Sequence, residues 1–118
     1  ASSPYQLLKR IEQRALDFVQ PSVIKLGLTD AWAVAQATVG TPVTFAPQVA
    51  FFGPGYLAVL HMLAAADQEA SLERLYVDLR HTPYAQSAPV VDGRVSIPDA
   101  PGLGADPESI FASGELAN

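Results

Sequence analysis

Apolar and polar positions change their period several times along the chain, and each change predicts an element. Leu8, Ile11, Ala15 and Phe18 recur at spacings of three and four, while Lys9, Arg10, Glu12, Gln13 and Arg14 lie largely off that stripe. This is the period of an amphipathic helix with one buried face. Its start is marked by Ser3-Pro4-Tyr5-Gln6, in which Ser3 caps, Pro4 needs no donor in the first turn, and Gln6 can reach back to the Ser3 amide. Val19, Val23, Ile24 and Leu26, around Gln20-Pro21-Ser22, form a β-branched run that predicts a short strand covered on both faces. The missing donor of Pro21 must then be harmless. On such a strand Lys25, three residues beyond Ser22, faces away from it.

Thr29-Asp30 predicts the cap of a second, short helix from Ala31 to about Ala37, ended near Gly40. Pro42 to Ala46 predicts the next strand. Gly53-Pro54-Gly55 opens a third helix, Tyr56 to about Ala66, whose apolar residues run almost all round and predict cover on most sides. A further parallel-type strand is expected around Leu75 to Leu79. Asp92-Gly93 between Val90-Val91 and Arg94-Val95 predicts a hairpin, because both central residues of a type I′ turn need positive φ and these two tolerate it. Pro107 to Phe111 is expected to add a helical turn. Helix and strand alternate as in βαβ units with a parallel sheet, but three strands would leave two open edges. The pattern therefore predicts part of a (β/α)-type barrel completed by other residues or another polypeptide.

Composition narrows the function classes. The 118 residues hold 12 Asp and Glu against 7 scattered Lys and Arg, so no basic stripe for nucleic acid exists. There is no cysteine, which excludes a disulfide framework, a thiolate metal site and a cysteine nucleophile. No apolar run approaches the ~20 residues of a membrane span, and Ala1-Ser2-Ser3-Pro4 lacks the apolar core of a signal peptide, so no membrane partner and a cytoplasmic location are expected. His61, inside the apolar third helix, reads as a packed, hydrogen-bonded residue, His81 as a surface residue and Trp32 as a packing residue. Gly53-Pro54-Gly55 does not have the spacing of a dinucleotide or phosphate loop.

Val90-Val91-Asp92-Gly93-Arg94-Val95 running into Pro98-Asp99-Ala100-Pro101-Gly102-Leu103-Gly104 resembles the C-terminal signature of the enolase superfamily, in its mandelate racemase and muconate lactonizing branch. Gln20-Pro21-Ser22-Val23-Ile24-Lys25-Leu26-Gly27 resembles the sixth barrel strand of that family. Pro47-Gln48-Val49-Ala50-Phe51-Phe52-Gly53-Pro54-Gly55 resembles the end of the seventh strand and its loop, and Ser71-Leu72-Glu73-Arg74 the start of the eighth. The resemblance implies an α/β fold: the C-terminal portion of a (β/α)7β TIM-like barrel, about strands six to eight with their helices, plus a C-terminal hairpin tail. Residues 1–84 would form the partial barrel, from helix five and strand six to strand eight. Residues 85–118 would form the hairpin and tail and pack on an N-terminal capping domain, in the same or a separate polypeptide.

The resemblance also implies a chemistry, abstraction of the proton α to a carboxylate of a small substrate, supported by magnesium. The family's metal ligands end strands three, four and five, so none is expected in this chain. Glu73 matches a strand-eight glutamate and is the expected catalytic residue; burial would favour the protonated form that donates to the developing oxyanion. Where racemases of the mandelate type pair a strand-seven histidine with a strand-six aspartate, this chain has Gln48 and Ser22. Neither is a base near neutral pH, so both are expected to bind substrate hydroxyls, or else to satisfy loop backbone groups. Dehydration of a sugar acid or hydroxy acid is favoured over racemisation or epimerisation, since syn elimination can use one group for both proton steps. A degenerate, non-catalytic segment with a structural or binding role is the alternative. A homo-oligomer is expected. The stretch from Thr29 to Gly40 is about one helical turn shorter than the family usually has, which puts standard barrel geometry there in question.

Overall fold

A computed structural model of the chain describes residues 3–66, 71–75, 77, 84 and 88–106. The first helix, α1, is Pro4–Glu12, and its entry has the anticipated capping box: the Gln6 amide donates to Ser3 Oγ at 3.3 Å and the Ser3 amide to Gln6 Oε1 at 3.2 Å. The helix stops earlier than its apolar stripe suggested. Arg14 adopts φ 51°, its N–H donates to the Ile11 carbonyl and that of Ala15 to the Arg10 carbonyl, which is a Schellman closure with arginine in the position glycine usually takes. Ala15 is exposed, and Phe18 belongs to a strand.

That strand, β1, is Phe18–Val19, and it pairs in parallel with β2, Thr44–Phe45, in the register Phe18 to Thr44 and Val19 to Phe45. The carbonyls of Asp17, Val19 and Pro21 accept in turn from the amides of Thr44, Ala46 and Gln48 at 2.8–3.0 Å, so the pairing carries on past the strands. Pro21 accepts but cannot donate in return, and the ladder is reduced there to one bridge between Ser22 and Gln48.

The run from Val23 to Leu26 is not strand, contrary to its β-branched composition. It is a single helical turn, α2, with the Lys25 and Leu26 amides bonded to the Ser22 carbonyl. The edge beyond Pro21 offers no further ladder, and the chain must turn to enter the next helix. Gly27, at φ 83°, makes that second turn, and α3 follows from Leu28 to Thr38. The short crossover still brings β2 alongside β1. Helix α4, Pro54–Ala65, agrees with its anticipated span. Gly53 at φ 82° precedes it, and a Cβ on Gly55 would stand 2.9 Å from Ile24 Cγ2 and 3.1 Å from the Phe51 ring. The two glycines of the Gly-Pro-Gly loop are thus required for different reasons, one for its backbone conformation and one for close approach.

Ile11, Val19, Val34, Phe45, Val49 and Met62 belong to one buried cluster that joins α1, β1, α3, β2 and α4. A second cluster packs Leu57 and Leu60 of α4 with Ala88, against Leu72, Val95 and Leu103. The hairpin pairs β3, Val90–Val91, with β4, Arg94–Val95, antiparallel, and Asp92 and Gly93 take φ 47° and 73° as a type I′ turn needs. Of the strand expected at Leu75 to Leu79, Leu75 and Val77 are described and are not strand, and the rest lies outside the described residues, as do His81 and the turn expected at Pro107 to Phe111. Among the described residues no helix is long and apolar enough to cross a membrane.

Candidate functional site

Parallel strands bring the residues that follow them to one end of the sheet, and this arrangement gathers Ser22 and Gln48. Ser22 is the third residue after β1 and Gln48 the third after β2, and they stand opposite each other in the isolated bridge. Glu73 reaches the same stretch from 24 residues further along the chain: its Oε2 accepts from the Val49 amide at 3.1 Å. The three expected site residues are therefore linked through the consecutive positions Gln48 and Val49.

Their surroundings differ. Ser22 is half-buried, and its Oγ is shielded from solvent with no hydrogen-bond partner among the described residues. Gln48 is half-buried. Both line a cleft of ≈ 490 Å³ whose walls also include Gln20, Lys25 and Asp30, with Pro4, Leu7, Pro21 and Leu26 as its apolar part. Glu73 is exposed and is not on that lining. The burial expected of a neutral donor is not supplied by the described residues, and the carboxylate acts as an acceptor toward Val49.

Lys25 corrects the sequence reading. A strand would have turned it away from Ser22, but residues 23–26 are a helical turn, where positions three apart share a face. Lys25 accordingly stands on the same cleft as Ser22 and Gln48. The signal available beforehand was Pro21, which ends the ladder, followed by Ser22 as a helix N-cap residue.

The remaining candidates are structural. His61 Nε2 lies 3.2 Å from the Leu103 carbonyl and, as the protonated ring nitrogen, donates to it, tying α4 to the Pro-Gly-Leu-Gly turn. Trp32 is half-buried against the main cluster. Tyr56 was not singled out in the sequence: its hydroxyl is buried without a partner among the described residues, and burial pushes its pKa above the ordinary 10.0, against the opposing pull of Arg74. A larger groove of ≈ 880 Å³ between α4, the residues Ser71, Leu72 and Arg74, and the β3–β4 hairpin contains none of Ser22, Gln48 and Glu73.

Magnesium takes oxygen ligands in octahedral geometry and relies on carboxylates to hold it. Among the described residues no group of three or more His, Asp or Glu side chains could hold a metal ion, so these residues do not fit a magnesium site.

No curated protein and no solved structure matches the chain. The family model described as enolase C-terminal domain-like matches residues 1–109. That span takes in the two parallel strands and four helices of the described residues, the hairpin and the glycine-proline turn, and the chain belongs to this family, in the mandelate racemase and muconate lactonizing branch of the enolase superfamily.

Proposed function

We propose that these residues are the C-terminal segment of a magnesium-dependent enolase-superfamily enzyme that abstracts the proton α to a carboxylate, and that the enzyme is a dehydratase of a sugar acid or other small hydroxy acid. In this reading β1 and β2 are barrel strands six and seven, and Ser71 to Leu75 leads strand eight. The remaining barrel strands and a capping domain come from residues outside this chain, and the hairpin tail packs toward that cap. The whole is a cytoplasmic homo-oligomer. The observation that carries the reading is the gathering of Ser22, Gln48 and Glu73 where the parallel strands end, in a chain of this family. Catalytic groups of barrel enzymes stand at that end.

Ser22 and Gln48 bind substrate hydroxyls, for which a hydroxyl without a hydrogen-bond partner among the described residues and a half-buried amide are suited. Glu73 hydrogen-bonds the substrate carboxylate as charge develops on it, and becomes buried when the rest of the barrel covers it. Loss of the α proton to a base outside this chain gives an enediolate. Departure of the β-hydroxyl with a returned proton releases water, and the enol product becomes a 2-keto acid. A racemase or epimerase would return the proton to carbon instead. The absence of a base at positions 22 and 48 favours, as a second reading, a segment without catalysis.

The test is turnover of hydroxy-acid substrates by the complete barrel in deuterium oxide, with magnesium and with a chelator. Magnesium-dependent exchange of the α proton together with 2-keto acid formation is expected. Exchange without keto acid would indicate racemisation or epimerisation, and no exchange across a broad hydroxy-acid panel would favour the non-catalytic reading. In the active enzyme, Glu73→Gln is expected to lower kcat by about 10²-fold, the usual effect of losing one donor to a developing oxyanion.

A further inference from the structure

We infer that Lys25 is a specificity-determining residue whose ammonium receives a second anionic group of the substrate, so that the cleft beside Ser22 and Gln48 prefers a hydroxy acid with two anionic ends to one with a single carboxylate. The inference rests on the proposed substrate-binding roles of Ser22 and Gln48, and it goes beyond them in assigning a charged partner. The helical turn α2 puts Lys25 one turn beyond Ser22, with its amide bonded to the Ser22 carbonyl at 3.1 Å, and both residues line the same ≈ 490 Å³ cleft. No ion pair engages Lys25 among the described residues, although Asp30 stands on the same lining. Asp30 lies in the first turn of α3, where the helix dipole favours a carboxylate, so it has local compensation without Lys25.

Lys25 is the one cationic residue among those lining this cleft, beside groups able to bind hydroxyls. Ser22 Oγ and the Gln48 amide can each donate and accept, Asp30 can accept from a hydroxyl, and Lys25 only donates. A lysine is a point charge on a flexible stem and suits a carboxylate or a phosphate equally, which leaves the source of the second anion to experiment.

The test compares binding of lactate, malate and 3-phosphoglycerate to the complete barrel and to its Lys25→Gln and Lys25→Arg variants, by NMR titration at low ionic strength. Wild type is expected to prefer malate or 3-phosphoglycerate to lactate, the tighter of the two naming the second anion. Lys25→Gln should erase about fivefold to tenfold of that preference, the scale of a partly exposed charge-assisted contact, and Lys25→Arg should keep most of it. A wild type with no preference, or a Lys25→Gln variant whose malate-to-lactate and phosphoglycerate-to-lactate ratios equal those of wild type, would overturn the assignment. Because the readout is binding, it is independent of deuterium exchange, and an inactive protein that still discriminates would refute the proposed reaction while leaving the role of Lys25 intact.

Discussion

The carboxylate of Glu73 accepts a hydrogen bond from the backbone amide of Val49, 3.1 Å away and 24 residues earlier in the chain. Val49 itself is fully buried, so this bond fixes the segment around residue 73 to the end of the β2 segment. Removing the acceptor with Glu73→Ala leaves a partly buried amide to water, and should cost about 1 kcal/mol, a charge-assisted bond discounted for exposure. Glu73→Gln keeps an oxygen acceptor and should cost less. Denaturant unfolding of both variants, with exchange protection of the Val49 amide, reads the difference.

Arg14 closes α1 from a left-handed conformation, φ 51°, that an L side chain adopts only at a cost. Arg14→Gly removes that cost while leaving the two closing amide bonds in place, and it should raise stability by about 0.5–1 kcal/mol after the added freedom of the unfolded chain is offset. An unchanged or lower midpoint in urea would show that the arginine side chain contributes something the helix end does not reveal.

Gly104 and Gly102 both have positive φ, 75° and 71°, yet only Gly104 is crowded. A Cβ there would press on Pro98, standing 2.9 Å from its carbonyl oxygen, whereas one on Gly102 would meet nothing within 4 Å. Gly102→Ala should therefore cost about 1–2 kcal/mol for the left-handed backbone alone, and Gly104→Ala clearly more. Loss of exchange protection at the Gly104 amide, which donates to the Pro101 carbonyl at 3.3 Å, should accompany only the second substitution.

Tyr56 has a buried hydroxyl with no partner among the described residues, and burial holds its pKa above the ordinary 10.0. The folded state then keeps the phenolic proton to higher pH than the unfolded state does. Its contribution is complete below the unfolded value and is lost as pH rises from there through the folded value. Tyr56→Phe should leave neutral stability within about 1 kcal/mol of wild type, on the stabilising side, because an unpaired hydroxyl is removed. It should also flatten the alkaline decline. Thermal unfolding from pH 8 to 11 tests both.

Much of this was written locally. The capping box of Ser3 and Gln6, the span of α4 and the type I′ hairpin at Asp92-Gly93 depend on residues within a few positions of one another, and short-range sterics and hydrogen bonding decide them. The glycine-proline turn and the Phe-Gly-Pro-Gly loop also carried the family, since each requires a backbone conformation or a close approach that few other residues permit.

What the sequence could not decide was set by neighbours distant in the chain. The apolar stripe through Ala15 and Phe18 had a helical period, but the parallel partner at Thr44 claims Phe18 for a strand. Val23 to Leu26 had strand composition, but Pro21 withholds the donor that would extend the ladder, and the segment turns into a helix. That one change of backbone period moved Lys25 onto the face of Ser22 and gave the cleft its cation. The sequence by itself determined the caps, turns and candidate residues, because these rest on local conformational preference. Tertiary structure alone decided which of them share a surface, because pairing across the sheet, between residues some 26 apart as Ser22 and Gln48 are, fixes the direction in which each side chain points.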